Sequence, residues 1–479
     1  MEHASNDRMR SDGVWRAIGA MLAGALLATG CAAPGADAPP PAPPGALLLI
    51  RSVSVIDTEA GSLSSPQDIL VADGRIASVG PAGVTSVPVG TPEIDGQGLF
   101  AMPGLIDVHA HVGEGGIAPQ NDATRARALQ QFLRYGVTTI FVPGATGASD
   151  ADFPAMRERC RVGEAQCPGL YGSGSLITAV GSHPVSTIFG MGPETPAEVI
   201  EARGVTVLTS DTNVESLIAA KAAAGFDAVK IIIEDGPPPW YPRPRLTDEQ
   251  IAEIVAAAHA HDLKVFAHIS NAAQVGVAAG LGVDGIMHAP VDPLPDETLA
   301  HMAAAKMWYV PTFALYDGLL TWARAQPETD PYALKGVEPS AIASLANEGF
   351  LAASSESEGM AADYLENAKA NLRKAADAGV PVALGSDVSN PFVFPGYSAH
   401  EELDWMVKAG LTPAEALRAA TAGGAALLGK GDVLGRITPG QEADILLLTR
   451  NPLEDISASR SLTAVISDGR RVEGVVSAD

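Results

Sequence analysis

The chain has 479 residues, of which 47% are hydrophobic and 18% are charged, and this composition is typical of a globular protein rather than a disordered or disulfide-rich one. Its length predicts two or three domains, or one large α/β domain with an accessory. The 31 Lys and Arg against 56 Asp and Glu give a formal net charge of −25, which repels phosphate backbones and excludes nucleic acid as a partner.

The first 31 residues have the pattern of an export signal. Basic residues (Arg8, Arg10 and Arg16) precede an apolar run at 17–28, which is shorter than the ~20 residues that span a bilayer. The segment 28–31, ATGC, resembles a bacterial lipobox. We therefore predict a signal peptide at 1–31 and a periplasmic or membrane-anchored lipoprotein of a bacterium, tethered through a lipidated Cys31. Ordinary cleavage nearby is the alternative. The Ala- and Pro-rich residues 32–45 are predicted to form an extended tether.

Short alternating segments, bounded by turn residues, occur at both ends of the remaining chain and predict β-strands. They lie at 47–55, 68–71, 75–79 and 92–94, and again at 443–448, 462–467 and 470–475. Neither end has enough strands to form a stable sheet alone. We therefore predict a small composite β-sandwich domain that is built from both termini, with residues 46–100 as its N-terminal part and residues 431–479 as its C-terminal part.

Between these ends, eight short apolar runs alternate with stretches of helical pattern. The runs lie at 104–112, 138–142, 170–178, 228–233, 264–269, 284–290, 308–315 and 381–388. Strands that alternate with amphipathic helices predict a parallel sheet, and eight such units predict a closed (β/α)8 TIM barrel over residues 101–430. The segment 247–250, TDEQ, is typical of a helix start. Residues 316–378 exceed a usual connection and are predicted to form a helical lid or wall.

Two cysteines remain in the mature chain, Cys160 and Cys167. Their short spacing in an exported protein is compatible with a disulfide. Two free cysteines in the core are the alternative, and the sequence does not decide between them.

Residues that can bind metal ions lie in or at the ends of these runs. They are His109, His111, Lys230, His268, His288 and Asp387. His109 and His111 are two positions apart in a strand, so both imidazoles point to the same face. Each residue alone is more often structural, but together the four imidazoles and the carboxylate meet at the carboxyl ends of barrel strands, where such barrels hold their active sites, while Lys230 lies within the fourth run. Imidazole and carboxylate groups suit Zn²⁺ or a similar cation. A buried Lys that reacts with carbon dioxide becomes an anionic carbamate, which removes the cost of a buried ammonium.

Several motifs occur here in a family order. The segment 103–111, PGLIDVHAH, the residues Lys230, His268, His288 and Asp387, and the segment 435–445, GRITPGQEADI, resemble the amidohydrolase superfamily. The resemblance covers about residues 46–479 and points to its branch of imidazolonepropionase-like and Xaa-Pro-dipeptidase-like enzymes. Met287 departs from the pattern, because many relatives have Glu before the sixth-strand histidine.

The resemblance implies a binuclear metal centre. His109, His111 and Asp387 would hold one divalent cation, and His268 and His288 the other. Lys230, as N6-carboxylysine, would bridge the pair together with a hydroxide that attacks an amide carbonyl. Asp387 would act as general base and then as general acid, and Asp107 would orient the histidines or serve the structure. We expect Zn²⁺, with Mn, Co and Fe as alternatives, and we expect a homo-oligomer.

Candidate substrate contacts follow the third and fourth strands. His183 resembles a substrate-facing histidine of relatives, and a solvated loop is the alternative. The later loop carries Tyr241, Arg243 and Arg245. Arg243 or Arg245 is a candidate clamp for a substrate carboxylate, whereas simple exposure is the usual role of Arg in such loops.

The predicted function is hydrolysis of a C–N amide or peptide bond in a small molecule or peptide, of the dipeptide or N-acyl amino acid type. Hydrolysis of a lactone, carbamate or phosphotriester at the same site is the alternative. A catalytically silent lipoprotein that binds a ligand at the cell surface is an alternative of another class.

Overall fold

A computed structural model describes residues 47–112, 121–144, 150, 152–163, 166–235, 242–324, 326, 328–337, 339–345 and 358–479. The predicted signal peptide, the tether, Cys31 and Tyr241 therefore lie outside the described residues. The strands of the described part are β1 (Leu47–Asp57), β2 (Ser62–Ala72), β3 (Arg75–Pro81), β4 (Glu93–Asp95), β5 (Phe100–Pro103), β6 (Leu105–Asp107), β7 (Val137–Val142), β8 (Gly169–Gly172), β9 (Leu176–Ala179), β10 (Val205–Leu208), β11 (Ala228–Ile232), β12 (Lys264–His268), β13 (Gly285–Met287), β14 (Trp308–Val310), β15 (Ile445–Leu448), β16 (Leu462–Ser467) and β17 (Arg470–Arg471).

Strands from both ends of the chain lie in one sheet. Its order is β17-β16-β15-β5-β1-β2-β3, and β4 also pairs with β1. The join is the antiparallel pair β5 and β15, in which Phe100 faces Leu448 and Pro103 faces Ile445. Alternate apolar residues of these strands, such as Ile69 and Leu447, pack into a common core. The division of this unit into two packed layers stays a prediction.

The middle of the chain forms parallel sheets. One has the order β6-β7-β8 and the other β10-β9-β11-β12-β13-β14. Every residue of β7 and β11 is buried, as expected where helices cover the faces of a sheet. These sheets confirm an α/β fold. β10 was not predicted; it is a short strand that pairs with β9.

Backbone contacts connect the two parallel sheets on both sides. The Asp227 N–H, just before β11, donates to the Gly172 carbonyl oxygen of β8 at 2.8 Å. On the other side, the segment 381–388 bridges to Tyr309 of β14 through Val382 and to Ala110 through Val388. This segment is the eighth apolar run of the sequence, and it lies beside the residues that follow β6.

Helices alternate with the parallel strands and continue after them. They span Asp122–Arg134, Asp152–Arg161, Ala197–Glu201, Val214–Ala223, Asp248–Ala260, Ala272–Gly280, Asp296–Ala305, Phe313–Ala323, Pro331–Leu334, Pro339–Ser344, Glu358–Asp377, Tyr397–Lys408, Pro413–Arg418 and Gly424–Leu427, with a π-helix at Ala419–Gly423 and a 3₁₀ helix at Ile456–Arg460. The predicted helix start is confirmed, since Thr247 and Gln250 form a reciprocal capping box. Among the described helices, none combines the length and the apolar character that a bilayer crossing requires.

Cys160 and Cys167 form a disulfide, with their Cα atoms 5.6 Å apart. The bond closes a short loop at the end of helix Asp152–Arg161. The sequence left a disulfide and two free cysteines as alternatives, and the structure contains the disulfide.

Candidate metal centre

Three side chains converge beyond the end of β6, and we call His109, His111 and Asp387 the first donor group. The Nε2 atoms of His109 and His111 lie 3.3 and 3.2 Å from the same atom, Asp387 Oδ1. Their backbones are paired directly, because the Asp387 N–H donates to the His109 carbonyl oxygen at 2.7 Å. Two imidazole nitrogens and a carboxylate oxygen at this spacing form a set that can hold a divalent cation.

Asp107 fixes the backbone beneath the first donor group. Its Oδ1 accepts from the His109 and Ser386 N–H groups, both at 3.1 Å, and its Oδ2 accepts from Ser386 Oγ at 2.5 Å. Complete burial raises the pKa of this carboxyl to about 7, although its hydrogen bonds with Ser386 oppose that shift. Asp107 thus orients the histidine-bearing strand through the main chain of His109, not through the imidazoles.

Lys230, His268 and His288 form a second donor group, which lies beside the first. The His288 ring lies 4.7 Å from the His109 ring and 4.4 Å from the His268 ring, between centroids. His288 Nδ1 is 3.7 Å from Asp387 Oδ2. Lys230 Nζ donates to Met287 Sδ at 3.0 Å. The structure therefore brings all six predicted metal ligands to one place.

In each of three imidazoles, one ring nitrogen is engaged by a neighbouring polar group. His111 Nδ1 lies 2.9 Å from the Gly144 carbonyl oxygen and therefore carries the hydrogen, which leaves a lone pair on Nε2. His268 Nε2 contacts Glu234 Oε2, and His288 Nδ1 lies 3.0 Å from Thr312 Oγ1. Such outer partners are typical of histidines that bind metals, because they orient the ring and raise its basicity.

A further polar atom of the centre has no hydrogen-bond partner among the described residues, namely the buried His109 Nδ1. The ring is 2% exposed and its other nitrogen, Nε2, faces Asp387 Oδ1, so Nε2 is the atom that a cation would contact. The donor set of the first group therefore fits a divalent cation.

Burial also sets the protonation of the centre. It holds the pKa of His109 and of His288 well below the usual range, and the nearby Lys230 and His268 act in the same direction. Both imidazoles are therefore neutral, as metal ligands must be. Burial lowers the pKa of Lys230 to about 7, against the opposing charge of Asp387. A neutral amine at this position can react with carbon dioxide.

Glu234 is a further buried residue of the centre. Burial raises its pKa, but the charge and hydrogen bond of His268 outweigh this and lower it overall. Glu234 is therefore an anionic partner of His268. The ligand atoms of Glu234, His268 and His183 lie within 4.8 Å of one another.

Positive backbone φ angles occur at residues around the centre. They are 84° at His288, 63° at Asp387 and 52° at Thr312. For a residue with a Cβ this conformation costs about 1–3 kcal/mol, and it persists only where surrounding contacts impose it. The surrounding fold thus holds His288 and Asp387 in conformations that a free chain avoids.

The predicted substrate contacts differ in their positions. The His183 ring stacks on the His268 ring at 4.6 Å, and its Nδ1 lies 2.7 Å from Thr187 Oγ1, so His183 belongs to the centre. Arg243 donates from Nη1 to Ser186 Oγ at 2.8 Å, beside the His183 loop. Arg245 instead pairs with Asp248 at 2.9 Å, at the start of a helix.

Glu234 and Thr312 were not among the predicted site residues. Glu234 follows β11 by two positions, so the rule that selected Asp387, an acidic residue at a strand end, would also have selected it. Thr312 gives no such signal in the sequence, because threonines at loop positions are common.

An α/β protein in which histidine, aspartate and lysine side chains, within or after parallel strands, meet as a set that could hold a metal ion is built like a hydrolase. The sequence profile of the amidohydrolase family matches residues 100–472, and the chain belongs to this family. The resemblance found in the sequence is thereby confirmed, and the chain is a hydrolase of the amidohydrolase family.

Individual relatives agree with this assignment. An imidazolonepropionase of Anaeromyxobacter sp. (strain K) is 26% identical over 90% of this chain and 96% of its own length. The ochratoxinase of Aspergillus niger is 25% identical over 78% of this chain and 75% of its own length. An adenine deaminase of Paracoccus denitrificans (strain Pd 1222) is 38% identical, but the match spans only 20% of this chain and 15% of that protein.

The fold is similar to that of solved structures. A Xaa-Pro dipeptidase with methionine bound in its active site superposes with a TM-score of 0.72 at 23% identity, and the match covers 89% of this chain and 100% of that one. At this identity the similarity concerns the fold.

Proposed function

We propose that the protein is a binuclear metal-dependent hydrolase that cleaves an amide bond of a small substrate, of the dipeptide or N-acyl amino acid type. The observation that carries the proposal is the approach of His109 and His111 to Asp387 Oδ1 within 3.3 Å, with the ring of His288 adjoining. A relative of similar fold is by name a dipeptidase. In this proposal the parallel strands and the segment 381–388 close into a (β/α)8 barrel beside a composite β-sandwich domain.

Each donor group would hold one cation. His109, His111 and Asp387 would bind the first, and His268 and His288 the second, with Lys230 as N6-carboxylysine shared between the two. We expect Zn²⁺, although imidazole and carboxylate ligands also suit Mn, Co and Fe. When bound, two divalent cations supply a water of low pKa and polarise a carbonyl group.

The protein's own side chains would then move protons and orient the substrate. Asp387 Oδ1 faces the two histidines of its group, whereas Oδ2 is directed toward His288 at 3.7 Å. Oδ2 is therefore the atom that would take a proton from the attacking water and return it to the leaving nitrogen. His183, whose Nδ1 is held by Thr187, would contact the substrate near its carbonyl group.

Arg243 would hold a substrate carboxylate. Its Nε is buried and has no partner among the described residues, and its Nη1 is held at Ser186. A guanidinium that is held at Nη1 would pair with a planar anion through its other terminal nitrogen. Tyr241 is proposed to assist from the same loop. Arg245 is the weaker candidate, because Asp248 already engages it.

A turnover screen of the zinc-loaded full-length protein tests this function. We expect hydrolysis of dipeptides or N-acyl amino acids, and a loss of at least about 10³-fold in kcat/KM for Asp387→Asn, since the change removes both a ligand and a proton carrier. The matched control is Asp432→Asn at an exposed loop position, which should keep wild-type activity. Turnover of lactones, carbamates or phosphotriesters alone would contradict the proposed bond. Binding without any turnover would favour the silent lipoprotein.

We further propose that the protein is exported and membrane-anchored through a lipid on Cys31, and that it assembles as a homo-oligomer. Labelled palmitate should enter the expressed wild-type protein but not Cys31→Ala, and light scattering of the purified protein should give a mass above that of one chain. An unlabelled wild-type protein or a monomeric mass would contradict the respective proposal.

A further inference from the structure

Helix Phe313–Ala323 begins without a capping side chain of its own. Thr312 occupies the capping position, but its backbone is left-handed, with φ 52° and ψ 51°, and its side chain makes no capping bond. The Thr312 hydroxyl instead lies 3.0 Å from His288 Nδ1. The first N–H groups of a helix have no partner within the helix, so a donor near Thr312 must be satisfied from elsewhere.

Glu402, on helix Tyr397–Lys408, satisfies that donor. Its Oε2 accepts from the Ala314 N–H at 2.8 Å, and its side chain is fully buried at 0% exposure. The next N–H, that of Leu315, is bonded to the Thr312 carbonyl oxygen at 3.2 Å. A carboxyl from another helix thus performs the capping that a Thr side chain ordinarily provides.

Thr312 does not cap the helix in the usual way. An N-cap hydroxyl reaches the N–H two or three positions onward from an extended backbone, whereas the backbone of Thr312 is left-handed. Its hydroxyl lies at His288 instead, and Glu402 fixes the first turn of the helix by accepting from the Ala314 N–H. The contact orients the His288 ring, as an outer partner does for a metal-binding histidine.

We propose that Glu402 is a positioning residue of the metal centre: by capping helix Phe313–Ala323 it holds Thr312 in the left-handed conformation that places its hydroxyl at His288. The inference rests on the proposed function, in which His288 is a ligand. Glu402 acts through Thr312 and contacts neither a cation nor the substrate. Nothing in the sequence around Glu402 indicates this role.

The test compares zinc affinity, measured by chelator competition, across paired variants. Glu402→Met keeps the volume but removes the acceptor, and we expect zinc affinity to fall by about tenfold or more. Glu402→Gln keeps an acceptor oxygen and should stay within about threefold of wild type. Thr312→Val should weaken zinc binding, whereas Thr312→Ser should not. The double variant Glu402→Met/Thr312→Val should bind zinc no more weakly than Thr312→Val alone, because both changes interrupt one path.

The control for burial is the neighbouring Glu401, whose carboxylate accepts from Ser398 Oγ at 2.8 Å and not from helix Phe313–Ala323. Glu401→Met should lower the free energy of unfolding without changing zinc affinity. If Glu402→Met does not fold, Glu402→Asp, too short to reach Ala314, replaces it. Unchanged zinc affinity in Glu402→Met, or additive effects in the double variant, would overturn the proposal.

A second measurement separates this inference from the proposed function. The ¹⁵N chemical shift of His288 Nδ1 in the zinc-free protein reports its hydrogen bond directly. It should change in Thr312→Val and in Glu402→Met, and it should keep its wild-type value in Glu402→Gln. If the wild-type protein binds no zinc, the proposed function fails. An unchanged shift in Glu402→Met refutes the role of Glu402 whatever the protein binds.

Discussion

The two donor groups of the centre are built differently. In the first, His109, His111 and Asp387 contact one another, and the strand segments that carry them share backbone hydrogen bonds. In the second, the side chains contact neighbours instead: Lys230 contacts Met287, and His268 contacts Glu234. The first group is therefore held by backbone pairing and by Asp107 beneath it, whereas the second depends on side chains of several elements and, in the proposed function, on a modification of Lys230.

This difference indicates which donor group tolerates substitution better. Asp107 links the strands of the first group through two N–H groups and one hydroxyl, so its geometry follows from the fold itself. The second group is positioned by Glu234, Thr312 and, through Thr312, Glu402. We therefore expect substitutions to separate the two groups, with the second more easily disrupted.

Removal of the lysine should have the largest effect. Lys230→Met cannot form a carbamate, so we expect one bound cation per chain, at the first donor group. We also expect kcat/KM to fall by about 10³-fold or more. This loss exceeds the about 10²-fold that is typical when a residue that only orients a metal ligand is removed. Metal analysis and kinetics provide the measurement. The control is Lys221→Met, since Lys221 is equally buried but bonds to Ser173 and Ser175. It should lose stability and keep two cations. Two cations in Lys230→Met would remove the distinction between the groups.

A methyl group at Gly385 should damage the first group. A Cβ there would lie 2.6 Å from His109 Cβ and 2.5 Å from Val310 Cγ1. We expect Gly385→Ala to lower the free energy of unfolding by about 1–3 kcal/mol and to weaken zinc binding, because His109 must move. Gly359→Ala, where a Cβ meets no described atom within 4 Å, is the control and should stabilise by up to about 1 kcal/mol. Equal stability of the two variants, measured by urea unfolding, would refute this packing argument.

Neutralising Glu234 should weaken only the second group. In Glu234→Gln the anionic partner of His268 is lost, and we expect one of the two cations to bind about 10-fold more weakly while the other keeps its affinity. Titration calorimetry of the metal-free protein resolves the two events. Glu253→Gln, an exposed change on helix Asp248–Ala260, should alter neither. Equal weakening of both cations would show that the groups do not respond separately.

The smallest expected effect is a pH dependence of activation. Because burial lowers the pKa of Lys230 to about 7, the reactive neutral amine increases as the pH rises through that value. We expect the rate at which carbon dioxide, held at a fixed partial pressure, and zinc reactivate the metal-free protein to rise by about tenfold between pH 6 and pH 8, and little beyond. A rate that keeps rising toward pH 10 would indicate a lysine of ordinary pKa.

Much of this architecture could be predicted from the sequence. Buried strands and buried helix faces require apolar residues, so the alternation of strands and helices is visible in the pattern of residue types. The side chains of the candidate centre could be selected for a different reason, because several imidazoles and a carboxylate at strand ends are an unusual combination. β10 was not predicted, since a four-residue strand beside β9 has no distinguishing periodicity.

Two residues that support the centre, Thr312 and Glu402, could not be predicted from the sequence. They are distant along the chain, and their roles depend on how two helices meet, which no local pattern encodes. Glu234 stands at a strand end and could have been selected. The roles assigned to Tyr241 and Cys31 stay predictions, because both lie outside the described residues.

The pairing of β5 with β15 has a consequence for biosynthesis. β5 is synthesised before the parallel-sheet region, but the strand that covers its outer edge, Ile445–Leu448, is synthesised after that region. The nascent chain therefore exposes an apolar strand edge while the whole parallel-sheet region is synthesised, and such edges pair readily with other chains. Loss of β15 and the strands that follow it, by a premature stop codon or by proteolysis, would leave this edge permanently open and favour aggregation.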